Sequence, residues 1–324
     1  MLQGKDLILA TKPYTKENRS KSWLLVLSTL LLLSCCYSLA VFADQLWIQI
    51  PSSVFAGLLV VRMFVIYHDY LHKAILQGSA VAKLIFTLFG MFILAPTSVW
   101  KRSHDYHHQQ NCKLYTSSIG SFPLATKEQY LASSRFEKIT YLFIRHPLTI
   151  ALGYIFAFFW GMCLQSILKS SGKHMDSYAA LIFHFGISWS IFSFFGGQSY
   201  VFGMLIPALI SSAIGSYLFY SQHNYPDAKY SKKEDWSYAS AALNSSSFLD
   251  STKFTHWITA NIGYHHIHHI NARIPFYNLP NVYKEMEEFK NPGKTSLSPS
   301  DLSKCLRLKL WDAENNKMIS LKEI

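Results

Sequence analysis

Trp47-Ile-Gln-Ile-Pro-Ser-Ser-Val-Phe-Ala-Gly-Leu-Leu-Val-Val-Arg-Met-Phe-Val-Ile-Tyr67, followed at once by His68-Asp-Tyr-Leu-His72, is the stretch that decides the fold class. An apolar run of about 20 residues is long enough for a helix to cross a bilayer. This one has Pro51 near its start and Arg62 near its end, and it delivers two histidines directly beyond its last turn. On a helix, residues four apart share a face one turn apart. Imidazole is a good ligand for first-row transition metals. The stretch therefore reads as a membrane helix that feeds a metal site.

Upstream, Trp23–Ala43 is a second apolar run of spanning length, and Asp44-Gln45 between the two marks a tight turn. A signal peptide would have a shorter core and a small-residue cleavage site, so Trp23–Ala43 reads as a retained span. The two runs make a hairpin with both ends on one side. Residues 1–22 are polar and mostly basic (Lys5, Lys12, Lys16, Arg19, Lys21), which puts that side in the cytoplasm by the positive-inside pattern.

Downstream, the histidines fall into boxes. His104-Asp-Tyr-His-His108 and His265-His-Ile-His-His269 follow His68–His72, and with Gln222-His223-Asn224 they hold ten of the 14 histidines. His104, His107 and His108 share a helical face at i, i+3, i+4, and His265, His268 and His269 repeat the spacing. His266 points off that face. Eight imidazoles, nine with His223, are too many for one four- to six-coordinate ion and about right for two. Asp69 and Asp105 follow the first histidine of their boxes and are placed either to orient a ring or to face water. Asn261, four before His265, is at best an outer partner. His184 lies in an apolar segment, where packing is the favoured role. His146, His174 and His256 lie outside the boxes.

The segment Val81–Trp100 separates the first two boxes and is broken by Gly90 and Pro96. A single crossing would put the boxes on opposite sides of the membrane, so it is expected to lie in the interface or re-enter. Residues 101–147 read as a cytoplasmic loop. Leu148–Leu168, Tyr178–Phe195 and Tyr200–Tyr220 are apolar, with a natural break at Gly196-Gly197-Gln198. The chain must return to the cytoplasm, so one of the three is not a simple span; Lys169 and Lys173 favour Leu148–Leu168 as the re-entrant piece. Ser298–Trp311 reads as a strand or an amphipathic piece at the membrane surface. The fold class expected is an all-α integral membrane protein with four transmembrane helices, or six, plus interfacial or re-entrant segments and a cytoplasmic helical cap. Its organisation is a cytoplasmic N-terminal segment, 1–22, and one membrane domain, 23–324. The domain divides into a hairpin (23–67), the first two boxes (68–147), membrane segments (148–220), and a cap with the third box and tail (221–324).

Composition agrees. Half of the 324 residues are hydrophobic and 15% are charged, against about 25% charged in soluble domains. The net charge of +11 comes from Lys and Arg flanking apolar runs, with no basic stripe or nucleic-acid motif, so no nucleic-acid partner is expected. The five cysteines are odd in number and form no CxxC, which excludes a disulfide framework and a thiolate zinc site.

At these residues the chain resembles the membrane fatty acid desaturases, and the bacterial acyl-lipid desaturases most. The resemblance rests on HDYLH, HDYHH and YHHIHH with hydrophobic hairpins between them, on Asn261–Leu279 with its RIPFYNL tail, and on Lys294-Thr-Ser-Leu followed by Leu306-Arg-Leu-Lys-Leu-Trp-Asp312. It implies a non-haem diiron centre that uses O2 to place a double bond in an acyl chain. The metal ligands it implies are His68, His72, His104, His107, His108, His223, His265, His268 and His269. Implied partners are the acyl chain of a membrane lipid (or an acyl-CoA or acyl carrier protein), the bilayer, and a separate electron donor of ferredoxin or cytochrome b5 type; no HPGG haem motif occurs in the sequence. Two positions depart from relatives within the family. Tyr70 and Leu71 are bulkier than the first-box residues of many bacterial members, and Phe219 stands where animal acyl-CoA desaturases carry an asparagine. A related diiron hydroxylase or ketolase of alkanes, sterols or carotenoids would use the same histidines. A histidine-rich transporter would instead place its polar groups at the bilayer midplane, not at span ends.

Overall fold

The computed structural model describes residues 2–116 and 122–324. Most of them are helical. In chain order the helices are α1 (Gly4–Ala10), α2 (Arg19–Phe42), α3 (Leu46–Leu71), α4 (Ala80–Phe92), α5 (Thr97–Gln109), α6 (Lys127–Ala132), α7 (Arg135–Ile144), α8 (Pro147–Ala151), α9 (Gln165–Ser170), α10 (Met175–Tyr200), α11 (Ile206–Ser221), α12 (Tyr238–Asn244), α13 (Lys253–Ile258), α14 (His265–Ile270), α15 (Leu279–Glu285) and α16 (Pro299–Arg307). π-helical stretches at Tyr154–Leu164 and Val201–Leu205 join α8 to α9 and α10 to α11.

Among the described residues three helices are long and apolar enough to cross a membrane: Arg19–Phe42, Leu46–Leu71 and the continuous Met175–Ser221. The last has 47 residues but is not straight. Gly196 adopts φ 84°, ψ 174°, a conformation open to glycine and strained for other residues. Across that break the rings of Phe192 and Tyr200 lie 6.2 Å apart, whereas residues eight apart in a straight helix are about 12 Å apart. The chain therefore doubles back. The reversal sits on the tip of the α2–α3 hairpin, where Ser199 Oγ donates to the Val41 carbonyl (2.8 Å) and Gln198 Nε2 to Gln49 Oε1 (2.6 Å). Two hairpins thus stand with their tips together, and the far ends of α3 and α11 meet at the histidines.

The expected break between the first two boxes is a sharp corner. α4 and α5 meet at 89°, with Leu94 at φ 57° and Pro96 capping α5. Tyr67 pins the corner from α3: its hydroxyl donates to the Ala95 carbonyl (3.0 Å) and lies 3.2 Å from Thr97 Oγ1. Gly90 permits this approach, since a Cβ there would stand 2.8 Å from the Tyr67 oxygen. The corner brings α5 back to the end of the spans it would otherwise leave. At its start, Ser98 donates through its backbone N–H (2.8 Å) and its hydroxyl (2.6 Å) to Asp176 at the head of α10.

Leu148–Leu168 leaves from the histidine end, where Arg145 reaches Tyr220 and Asn224. It returns to the same end, where Ser166 Oγ lies 2.7 Å from Ser177 Oγ. The N-terminal segment is not a free flank: Leu7 is fully buried in a cluster with Ile267, Ile270 and Ile274 of the third-box region, and Asn271 Nδ2 donates to Thr11 Oγ1 (2.9 Å).

The mostly helical fold agrees with the all-α expectation, with a few short strands beside the helices. Five short strands, β1 (Ala125–Thr126), β2 (Phe248–Leu249), β3 (Lys294–Thr295), β4 (Leu308–Asp312) and β5 (Lys317–Ser320), form two small sheets. One has the order β1-β4-β5, with β1 parallel and β5 antiparallel to β4; the other pairs β2 with β3 in parallel. The sequence at Ser298–Trp311 turns out to be a helix and then a strand. Ser298 caps α16, and the chain turns extended at Leu308 because Leu310 and Trp311 bury fully against β1 and β5.

Candidate metal centre

Each histidine box sits at the end of a helix that something else fixes in place. α3 carries His68 in its last turn and ends on His72. α5 carries His104, His107 and His108 and is set by the corner at Tyr67. α11 runs to Ser221, and His223 follows it. α14 carries His265, His268 and His269; it is preceded by a tight turn with Ala260 and Asn261 at φ 41° and 59°.

The nine side chains converge into two groups. His68, His72, His104, His108 and His268 form the first, and His107, His223, His265 and His269 the second; in each group one donor atom per residue lies within 4.8 Å of all the others. The boxes divide between groups by helical spacing. His104 and His108, four apart, serve the first group, while His107 turns to the second. His265 and His269 serve the second, while His268 turns to the first. Stacking of His108 on His269, rings 4.2 Å apart, joins the groups.

Burial favours the neutral ring at eight of the nine. His72, His104, His107, His108, His265, His268 and His269 are held well below the usual histidine range by desolvation first and by their neighbouring imidazoles second. Desolvation lowers His223 to about 4, against a hydrogen bond to the Ser245 carbonyl that raises it. Neutral rings at pH 7 keep a lone pair for a metal.

The contacts fit metal ions. Nε2 atoms approach in pairs: His68–His104 2.8 Å, His104–His108 3.1 Å, His108–His268 3.1 Å, His223–His265 3.0 Å and His265–His269 3.1 Å. Two cis ligands with metal–nitrogen bonds of about 2.1 Å stand about 3.0 Å apart in an octahedral shell. Without an ion, each Nε2 pair can share at most one proton, and the Nδ1 atoms of His108, His265, His268 and His269 are buried with no partner. A cation between the Nε2 atoms would remove that proton conflict; it leaves the Nδ1–H groups as they are, buried without a partner among the described residues. Neither group contains a thiolate or carboxylate, so the donor set suits iron, zinc or copper. Cys112 Sγ lies 3.8 Å from His223, on its Nδ1 side, and belongs to neither group.

Outer partners fix two of the rings. His68 Nδ1–H donates to Asp69 Oδ1 (3.1 Å), and the same carboxylate accepts from the Phe276 N–H (2.6 Å), tying the first box to the segment after the third. His223 Nδ1–H donates to the Ser245 carbonyl (2.8 Å). Both bonds leave Nε2 free, which is how an outer partner sets the ligating nitrogen. Ser245 escapes a sequence reading because a backbone carbonyl carries no residue signal. Asp105, at the same box position as Asp69, instead pairs with Lys101 at the surface. Asn261 reaches the Phe276 carbonyl (3.1 Å) and touches no box histidine.

The remaining histidines stand apart from both groups. His266 bonds the Phe289 carbonyl (3.2 Å). His184 donates to the Phe92 carbonyl (2.6 Å) and accepts from Tyr154 (2.7 Å), a satisfied packing role. His174 bonds Ser98 (2.7 Å), and His146 caps α8. His256 packs on Phe248. On the membrane side, Trp100 stacks on His104 (4.9 Å, 15°) and is backed by Phe64 and Phe219. Tyr70 stacks on Phe86 (4.6 Å).

Fold and site together define a helical membrane protein with an all-histidine, two-group metal site at one end of its hairpins. The chain belongs to the fatty acid desaturase family, and so to a family of oxidoreductases: the family model matches residues 45–297, which hold all nine histidines. A fatty acid desaturase of Bacillus subtilis is 31% identical over 273 residues, covering 84% of this chain and 77% of the relative. An sn-1 oleoyl-lipid 12-desaturase of Anabaena variabilis is 25% identical, covering 89% of this chain and 82% of the relative. A chloroplastic omega-6 fatty acid desaturase of Glycine max is 24% identical over 78% of this chain, which spans 60% of that relative's length.

Proposed function

We propose that the two histidine groups hold two iron ions and that the protein desaturates the acyl chain of a membrane lipid with O2. The division of nine imidazoles into two tight groups carries this reading. Bound iron would supply the activation of O2 and the removal of hydrogen from an unactivated methylene. The electron count requires a donor: O2 takes four electrons and four protons to become two waters, of which the methylene pair gives two of each. A separate protein of ferredoxin or cytochrome b5 type supplies the other two electrons.

The chain's own part is to hold and exclude. Asp69 and the Ser245 carbonyl keep His68 and His223 in the tautomer with Nε2 free. Trp100, Phe64 and Phe219 close the membrane side of the first group against water. α4, α5 and Tyr67 keep the second box from leaving the site.

The topology proposed has four crossings: α2, α3, and the two arms of Met175–Ser221 on either side of Gly196. The shorter arm, Met175–Phe195, has 21 residues and is about 32 Å long, enough to cross. Leu148–Leu168 dips in and returns. Residues 1–22 remain the N-terminal segment and 23–324 the single membrane domain. Arg19, Lys21, Lys169 and Lys173 lie at the histidine end, while the hairpin tips Ala43–Gln45 and Gly196–Val201 carry no Lys or Arg; this asymmetry supports histidines on the cytoplasmic side. The experiment is double-bond analysis of the fatty acids of cells expressing the chain or its His268→Ala variant. A new unsaturated acid only with the intact chain supports the reading. Product from His268→Ala at the full level overturns the ligand assignment.

A further inference from the structure

Beside the second histidine group lies a small pocket of about 60 Å³, lined in part by Arg145, Lys113, Tyr220, Tyr230, His107 and His223. That is room for a few ordered waters or one small anionic group. Arg145 is 1% exposed and Lys309, behind the same wall, 9%. Both cations lie over the Tyr220 ring, at 4.9 and 5.7 Å from its centre.

No acid answers them. The ion pairs among the described residues are His68–Asp69, Lys101–Asp105, Lys294–Asp250, Lys304–Asp301 and Lys317–Glu323, and residues 117–121, Ser-Ser-Ile-Gly-Ser, contain no Asp or Glu. Among the described residues the Arg145 guanidinium meets only neutral acceptors: the carbonyls of Pro123 and Leu308, the Tyr220 hydroxyl and the Asn224 side chain. Among them its Nε, buried, has no partner. Lys309 Nζ donates to one group, the Arg145 carbonyl. Buried charges are ordinarily paired, because leaving one without a counter-ion is costly. Burial and the adjacent guanidinium push the Lys309 ammonium down to about 8. Two cations held without an acid, one of them on the wall of a pocket that also touches the histidines, make a receptor for an anion.

We propose that Arg145 and Lys309 bind the phosphate of the acyl donor's headgroup, so that the substrate is an acyl chain on a phosphate-bearing carrier and not on a neutral glycolipid. This rests on the desaturase reading for the word substrate, but not for the site. Guanidinium takes phosphate oxygens through paired N–H donors, and Arg145 has its Nε–H unused. Asn224, hydrogen-bonded to Arg145, adjoins His223, and His107 and His223 line the same pocket, so an anion held there borders the second group.

The test is binding to the full chain purified in phospholipid-free detergent. The probes are dioctanoyl phosphatidylglycerol, octanoyl-coenzyme A and dioctanoyl galactosylglycerol, with inorganic phosphate as competitor. The intact chain is expected to prefer a phosphate-bearing probe to the galactolipid by about tenfold or more, the worth of a charge-assisted hydrogen bond. Inorganic phosphate should reverse the preference, and whichever phosphate probe binds tighter identifies the carrier. Arg145→Gln should lose that preference, Lys309→Met should lose part of it, and Arg145→Lys should restore part. Arg145 also ties loops together, so the intact chain and Lys309→Met decide the matter if Arg145→Gln does not fold. Headgroup-blind binding by the intact chain, or an unchanged preference in a folded Lys309→Met and Arg145→Gln, overturns the proposal. Selective binding with no unsaturated product from the bound donor supports the anion site and overturns the desaturase reading. Product formed equally from phosphate and galactose carriers does the reverse.

Discussion

The second and third histidine boxes have one spacing and use it in opposite senses. On α5, His104 and His108 face the first group and His107 crosses to the second; on α14, His265 and His269 face the second group and His268 crosses to the first. Residues i and i+4 stack one turn apart, while i+3 stands about 100° from i+4 around the helix axis. A three-histidine box laid between two sites therefore serves both. Each group depends on both helices, and the two boxes lock together only when α5 and α14 hold the right mutual position.

The strongest way to break this exchange is at the crossing residues. His268→Ala removes the one α14 ligand of the first group, and His107→Ala the one α5 ligand of the second. Each should cost more than the about 10- to 100-fold that follows loss of an outer partner, read as product formed per protein. The two should differ in which ion is lost, read by the iron spectrum that remains.

The next contrast is Asp69 against Asp105, residues at the same box position in different surroundings. Asp69→Asn should weaken iron retention by about 10- to 100-fold in chelator competition, because it disturbs both the His68 Nδ1 partner and the Phe276 anchor. Asp105→Asn should leave retention unchanged, since a surface ion pair is worth about 0–1 kcal/mol. Equal losses in the two variants would remove Asp69 from its orienting role.

A smaller effect belongs to the corner that positions α5. Tyr67→Phe leaves the buried Ala95 carbonyl without its donor, a cost of about 1–3 kcal/mol, seen as a lowered melting temperature. His266→Gln should have the smallest effect: iron content should stay at the wild-type level, because His266 faces the Phe289 carbonyl and not the groups.

Much of this was legible in the residues. The hairpins follow from run length, the corner from Gly90 and Pro96, the reversal from Gly196-Gly197, and the metal site from box spacing. The partition of ligands was not legible, because i, i+3 and i+4 read as one face until an opposing helix supplies the second site. Asp69 and Asp105 are identical in local sequence, and only the tertiary contact with Phe276 separates them. The strand at the end of Ser298–Trp311 was within reach of the residues, but the two-residue strands β1, β2 and β3 have no periodicity to read. Arg145 sits in an unremarkable Arg-His-Pro, and its isolation from any acid appears only once the chain is folded.

The most direct test of the two-group centre is metal content with iron spectroscopy on the purified intact chain and on His268→Ala and His107→Ala. The account predicts two iron ions per intact chain, one for each group of imidazoles. It predicts about one in each variant, with different surviving spectra, because a group that loses its crossing ligand no longer holds its ion. A single ion in the intact chain, or two retained in both variants, would contradict it.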